Sequence, residues 1–409
     1  MRDWEPYTPR MIVRRFEIGI VIALAAGLSA GCGEGISSGA ASSVRPPAAD
    51  VRPEVIHERK IVERPLSRAK RFKLTVVGNC RAIEIHHPWT EGAAEQRYVL
   101  VARGSDPPAG VKERGIVRIP LRRIGATSTT YLPALVELGA LDKLAAFSAG
   151  KYAHNPEVRR RHAAGDFATI GDDLTQSGEK LLSLGLDAMI TTGMTKLDAE
   201  RYSRLVDLGL PVMLTAEVAE ETPLGRAEWI KFFGALFEKE DEADRLYAAI
   251  EKRYEELAQL ARGAKVKPTV LLNAPYRGEW HVPGGRNHMA RILADAGAAY
   301  LWADMDTDRS IPLAPEAVVA KAQHADFWLH CGQFTSRAEV KAADSRLADF
   351  DAWKNGKIVN NDARRIEGGG NDYWESGLQH PEGLLADLVR ALHPELLPKH
   401  ELVWYRFLP

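Results

Sequence analysis

Cysteine is nearly absent: there are three in 409 residues, at Cys32, Cys80 and Cys331. That excludes a disulfide-stapled fold. No paired Cys/His spacing is present to hold a structural zinc. An excess of charge of one sign is also missing. The chain has 54 Lys and Arg against 55 Asp and Glu, a formal net charge of −1, and nothing in it points to nucleic acid. Beyond residue 31, no hydrophobic run approaches the roughly 20 residues that span a bilayer. The His-Glu-x-x-His pattern does not occur. Gly368-Gly369-Gly370 lacks the Lys-Ser/Thr of a phosphate loop, and the G-x-S-x-G match at Gly27–Gly31 falls in an export signal. The adjacent pair His86 and His87, ahead of Pro88-Trp89 on an expected hairpin turn, reads as surface. We therefore expect no enzyme and no resident cofactor or metal, although a bare-ion site assembled from distant residues stays open.

What is present begins near the N-terminus. Arg14 and Arg15 precede an 11-residue apolar run, Ile18 to Leu28, and then Ser29-Ala30-Gly31-Cys32. A basic start, a short apolar core and small residues before a cysteine read as a lipoprotein export signal over residues 1–31. Cleavage there leaves Cys32 as the lipidation site. The chain is then anchored outside the cytoplasm, on the periplasmic face in a cell with two membranes. Leu28 lies one place further from the cysteine than usual, and an ordinary secretory signal is the alternative; both export the chain. Residues 32–71 are rich in Gly, Ser, Ala and Pro and then charged, the composition of a flexible tether. Cys80 and Cys331 are expected as separate buried thiols, with a disulfide between them left open.

From Phe72 the sequence turns β-like. Runs at 72–77, 82–86 and 97–101 predict a small antiparallel extension over 72–118. The period then alternates. Strand-like runs at 117–124, 144–147, 188–190 and 212–214 are separated by helical ones, giving a parallel, helix-covered lobe over 119–221. Residues 222–263 predict linking helices, with Leu246, Ile250, Tyr254, Leu257 and Ala261 forming one apolar face. A second alternating block fills 264–409. Two segments share a pattern. Glu179-Lys180-Leu181-Leu182 leads to Asp187-Ala188-Met189-Ile190, and Glu316-Ala317-Val318-Val319 leads to Asp326-Phe327-Trp328-Leu329. The expected fold is α/β: two parallel-sheet lobes joined by one long interdomain helix, with a small N-terminal β extension. A single helix between lobes acts as a strut, so only small closure is expected on binding.

Several segments together resemble the metal-chelate type of solute-binding lipoprotein of ABC importers. They are Arg123-Ile124-Gly125-Ala126-Thr127-Ser128-Thr129-Thr130-Tyr131 with Leu138-Gly139, the two Glu…Asp blocks, Trp353-Lys354-Asn355-Gly356-Lys357-Ile358-Val359, and the closing Leu385-Ala386-Asp387-Leu388. The resemblance covers residues 117–395. It implies a clamp that captures an iron chelate, a ferric siderophore first and cobalamin or haem as alternatives, and delivers it to an importer's permease. It also implies that Glu179 and Glu316, one per lobe, dock into basic pockets of that permease. For each glutamate alone, stabilising the first turn of its helix is the simpler reading. An exported enzyme on a borrowed binding-protein fold is the rival of another class. A monomer is expected.

Ligands of open α/β sheets sit beyond the carboxyl ends of strands. The candidate contacts there are Ser128, Thr129, Thr130 and Tyr131; Lys151, Tyr152 and His154; Thr192 and Met194; Tyr276, Arg277 and Trp280; His330 and Gln333; Arg364 and Arg365; and Tyr373 and Trp374. Aromatics suit flat chelate rings, and Arg suits carboxylates or a negatively charged ferric complex. Tyr373-Trp374, in a loop after three glycines, is the pair that packing explains least well.

Overall fold

In a computed structural model of the chain, the described residues are 61–77, 80–86, 95–108, 111, 116–171, 178–192 and 196–409. The export signal, Cys32, His87, Met194 and the tether as far as residue 60 lie outside them.

The first lobe is a five-stranded parallel sheet. Its strands are β6 (Ile124–Ala126), β7 (Leu144–Phe147), β8 (Ala168–Thr169), β9 (Ala188–Thr192) and β10 (Val212–Thr215), in the order β10-β9-β6-β7-β8. β10 is buried along its whole length, as is β9 up to Thr192, as strands covered on both faces must be. The helices are α1 (Leu132–Glu137), α2 (Pro156–Ala164), α3 (Gly178–Ser183) and α4 (Lys196–Asp207).

The linking segment is three helices: α5 (Pro223–Ala227), α6 (Ile230–Phe237) and α7 (Glu240–Arg262). The sequence spacing predicts one long helical stretch. It breaks after α6 because Glu238 takes a left-handed backbone, φ 55°. The strut proper is the 23-residue α7. It opens on Glu240, Asp241 and Glu242 and closes on Arg262, as the helix dipole favours. Ala243, Tyr247, Ile250, Tyr254, Leu257, Ala258 and Ala261 form its buried face, which packs against α6 on one side and a second-lobe helix, α12 (Pro381–Leu392), on the other.

The second lobe is built on β11 (Thr269–Leu272), β13 (Ala299–Tyr300), β15 (Phe327–Leu329) and β16 (Ile358–Asn360). All are parallel, with β17 (Arg406–Phe407) added antiparallel at the edge. β12 (Trp280–Pro283) and β14 (Ser310–Leu313) form a separate antiparallel pair. α8 (His288–Asp295), α9 (Pro315–Ala322), α10 (Arg337–Ala343) and α11 (Asp351–Lys354) complete the lobe with α12. The two Glu…Asp blocks have a structural reason. Asp187, ahead of β9, accepts from the backbone N–H of Arg122 and Arg123 just before β6. Asp326, ahead of β15, accepts from the N–H of Thr269 at the start of β11. In each lobe the aspartate fastens the start of the neighbouring strand.

The extension differs from the expectation in two ways. It is a mixed sheet, β1 (Ile61–Glu63), β2 (Phe72–Val77), β3 (Cys80–Ile85), β4 (Gln96–Ala102) and β5 (Ile116–Ile119), and β5 runs parallel to β4. It also begins earlier. Residues 64–71, read as the end of a tether, are strapped to the linking helices. The backbone N–H groups of Ser67, Arg68 and Ala69 donate to the fully buried Glu228, which also pairs with Lys231. Those of Lys70 and Arg71 donate to Glu220. Arg64 pairs with Asp241 and Asp244 of α7, and Arg68 with Glu251 and Glu255. Arginines in a stretch that reads as solvated are here paired with carboxylates more than 170 residues away. Cys80 and Cys331 are separate buried thiols.

Replacing Glu228 with Ala strands three backbone donors and an ammonium in a buried site. We expect a loss of about 3–5 kcal/mol, read from urea unfolding. A loss below about 0.5 kcal/mol would mean the strap contributes nothing to stability.

Candidate functional site

The carboxyl ends of β6, β9 and β10 carry a ladder of hydroxyls. Thr127 Oγ1 donates to Thr191 Oγ1 at 2.9 Å. The Tyr131 hydroxyl lies 2.8 Å from Thr192 Oγ1 and 2.9 Å from Thr215 Oγ1. Ser128 Oγ meets Thr130 Oγ1 at 2.8 Å, and Thr130 in turn donates to Glu217 Oε1 at 3.2 Å. Side chains here alternate with the strand pleat, and short hydroxyls are the groups that reach one another across adjacent strand ends. Burial raises the Glu217 carboxyl, and burial beside Glu217 pushes the Tyr131 phenol well above its ordinary value. The first-lobe wall is therefore hydroxyl-rich, with one half-buried acid.

The second-lobe wall is aromatic. His330, with a left-handed backbone just past β15, places Nε2 2.7 Å from the Tyr405 hydroxyl, and Tyr373 stands edge-on to both rings. Trp374 turns outward and is 49% exposed. Burial lowers the His330 imidazole to about 3, so it is neutral at physiological pH.

The lobes meet through the turn Tyr373–Gly377, which packs against Thr129–Tyr131 and α1. Glu375 accepts from the backbone N–H of His154 at 2.7 Å and of Asn155 at 2.8 Å. Asp372 pairs with Arg364 at 2.7 Å and lies 3.3 Å from His154 Nδ1. Gly370 leaves no room for a Cβ, which would stand 2.6 Å from the Tyr152 carbonyl oxygen. Further along, His380 bridges Glu137 of α1 and Glu382 of α12 at 2.7 and 3.1 Å. Burial disfavours its charge, but hydrogen bonds to the two glutamates win and raise its pKa to about 10.

Of the residues expected from sequence, Ser128, Thr129, Thr130, Tyr131, Thr192, Tyr152, His154, Arg364, Tyr373 and Trp374 gather at this junction. Three assignments to the ligand set are corrected. Tyr131 and Tyr373 are each 1% exposed and held by internal contacts. Trp280 is fully buried, donates to the Leu272 carbonyl and packs on Trp328 and Phe350, so it is core. Lys151 lies exposed over the Tyr152 ring. Tyr276 and Arg277 stack on each other at an exposed tight turn before β12, and Gln333 is exposed. Arg365 pairs across a backbone bridge with Asn371.

Sequence reasoning missed Glu217, Arg226, His288, Asp372 and Glu375. Glu217 follows the end of β10, so the strand-end rule could have found it. Asp372 and Glu375 flank an aromatic pair that drew the reading. Arg226 and His288 sit on helices read as scaffold. Among the described residues, no three His, Cys, Asp or Glu side chains converge as metal ligands.

A family model described as periplasmic binding protein matches residues 124–364, more than half of the chain. An uncharacterized lipoprotein of Methanocaldococcus jannaschii is 23% identical over 320 residues, 74% of each chain. A periplasmic heme binding protein of Pseudomonas aeruginosa has the same fold at TM-score 0.53 and 19% identity, covering 71% of this chain and 98% of its own. A molybdate periplasmic binding protein of Haemophilus influenzae does so at 0.52 and 18%, covering 69% and 89%.

The junction has a defined pH response. Burial, aided by Asp372, raises Glu375 from 4.5 to about 7 against the pull of its two N–H partners. The folded state therefore holds this proton more tightly than the unfolded chain. Its contribution is full below 4.5 and is lost as pH rises to about 7. The total is at most about 3 kcal/mol. His380, also raised, contributes fully below 6.5 and loses its contribution as pH rises through about 10. Thermal melts from pH 4.5 to 10 should fall across both windows, with Glu375→Gln flattening the first and His380→Gln the second. An unchanged slope in either variant would remove that residue from the response.

Proposed function

The chain belongs to the periplasmic binding protein family, and from that premise we propose that it is an extracytoplasmic, lipid-anchored receptor that captures an iron chelate and delivers it to an ABC importer. A ferric siderophore is the cargo we favour. The observation that carries this reading is the junction itself. A hydroxyl-rich strand-end wall meets an aromatic segment of the second lobe, where Arg364 is paired with Asp372. Hydroxyls can hydrogen-bond chelate oxygens, and the exposed Trp374 offers a flat apolar face to a planar chelate. The lipoprotein name of the M. jannaschii relative supports the anchor at Cys32. The heme named for the Pseudomonas neighbour makes haem the first alternative, with cobalamin beside it.

Intrinsic tryptophan fluorescence, titrated with ferric siderophores of several chemistries, haem and cobalamin, tests this. We expect saturable quenching by one class, and loss of at least half the amplitude in Trp374→Phe. No response to any chelate would overturn the reading. Scattering profiles with and without that ligand should nearly superimpose, since α7 is packed between the linking helix α6 and the second-lobe helix α12.

Glu179 and Glu316 are exposed, each in the first turn of a helix leading into a central strand, α3 into β9 and α9 into β15. Glu316 lies 3.5 Å from Arg346, which is itself held by Asp344. We assign both glutamates to permease docking. Changing both to Lys should leave chelate affinity unchanged and abolish uptake, because like charge then meets a basic partner. Normal uptake in the double variant would remove the docking role.

A further inference from the structure

The turn Tyr373–Gly377 carries Trp374 at the junction, and two of the residues that hold this turn come from the C-terminal tail. Its backbone winds as a single π turn, a form frequent at functional sites. Asp372, buried at the head of the turn, is the anchor. Its Oδ2 accepts from Ser376 Oγ at 2.6 Å and from Trp404 Nε1 at 3.1 Å and pairs with Arg364 Nε at 2.7 Å, while Oδ1 lies 3.3 Å from His154 Nδ1. The Trp404 N–H is also 3.3 Å from Ser376 Oγ, so the tail indole reaches both Asp372 and Ser376. Its ring lies against Gly383 of α12, which has no room for a Cβ there.

The next tail residue holds the turn through a second contact. Tyr405, buried, stands edge-on to Tyr373 with ring centroids 5.7 Å apart and stacks on His330. Tyr373 in turn stands edge-on to Trp374 at 4.9 Å. The tail dipeptide is itself fixed, because Asp387 accepts from the backbone N–H of Val403, Trp404 and Tyr405. Yet the end of this chain of contacts is not buried: Trp374 stays half exposed. Ordering a large side chain costs conformational entropy, and at Trp374 burial returns only part of it. Bracing without burial is the form of a preorganised contact.

We propose that Trp404 and Tyr405 of the C-terminal tail are positioning residues which, acting through Asp372 and Tyr373, preorganise Trp374 for its cargo. The cargo part rests on the function proposed above, in which Trp374 meets a chelate. Neither tail residue needs to touch that chelate. Ordering a loop and its aromatic at the moment of binding weakens affinity, and a turn already clamped by the tail is ordered when the chain folds. Loosening the clamp therefore weakens binding although the contact residue, Trp374, is unaltered. Asp372 is the point where the two effects meet, since its carboxylate is shared by the turn, by Arg364 and by the tail.

The full chain labelled with fluorotryptophan tests this by fluorine NMR, with Trp374→Phe assigning the Trp374 resonance. The variants are Trp404→Phe, which keeps a ring and removes the N–H, and Asp372→Asn, each with its melting temperature recorded. We expect the Trp374 resonance to shift and narrow in both, as the side chain gains motion. Affinity for haem or for an uncharged ferric trihydroxamate, whichever binds the unaltered chain, should fall about tenfold. A lower melting temperature with the Trp374 resonance and the folded-state affinity unchanged would overturn the proposal, since the tail would then serve stability alone. Hydrogen exchange on the unaltered chain decides the clamp should a variant fail to fold: amides of 373–377 and 403–405 should show matched protection. Turn amides exchanging much faster than those of the tail would overturn it. If neither chelate binds the unaltered chain, the cargo reading falls, while the resonance and the exchange still decide whether the tail holds Trp374.

Discussion

One interaction recurs wherever this chain must hold distant pieces of itself together: a buried or half-buried carboxylate accepting from a run of backbone N–H groups. Glu228 takes three consecutive N–H groups of the strap, and Glu220 the next two. Asp387 of α12, fully buried, takes those of Val403, Trp404 and Tyr405 and also His400. Glu375 takes two from the opposite lobe, and Asp187 two from the entry to β6. The physical reason is common to all. An irregular segment crossing a packed surface carries donors that no helix or sheet satisfies. A carboxylate offers about four acceptor sites in one small group. The arrangement tolerates almost any sequence in the captured segment, because only its main chain is read.

That constraint orders the architecture. The strap fixed by Glu228 and Glu220 lies along the linking helices, and its arginines add ion pairs to α7. The C-terminal tail fixed by Asp387 returns to add β17 to the second sheet and places Tyr405 against His330. Both ends of the described chain therefore brace the elements that set the distance between the lobes. An interlobe helix braced in this way is the physical basis for expecting only small closure on binding.

How much of this was legible in the sequence follows from what each signal measures. Alternating periodicity located the strands and helices of both lobes, because buried parallel strands must be continuous apolar runs and α7 must show one apolar stripe. The strand-end rule found the hydroxyls at Ser128, Thr129, Thr130 and Thr192. It misjudged Tyr131, Tyr373 and Trp280, because a large aromatic near a strand end reads the same whether it faces a cleft or fills the core. The strap was invisible for a different reason. Its partners are backbone amides, which carry no residue identity, and glutamates placed about 150 residues away. Arg226 and His288 escaped because atoms left without a partner on a helix show only in three dimensions.

The contrast between these two kinds of buried charge is informative. At the strap, the tail and the lobe junction, buried carboxylates have two to four partners each. At Arg226 and His288 some buried polar atoms have none, as is also true of Glu137 Oε2, Glu217 Oε2, Arg337 Nε and Glu382 Oε2. What sets the first group apart is that a carboxylate gripping main chain reads no side-chain identity, so the frame can hold while the sequence crossing it changes.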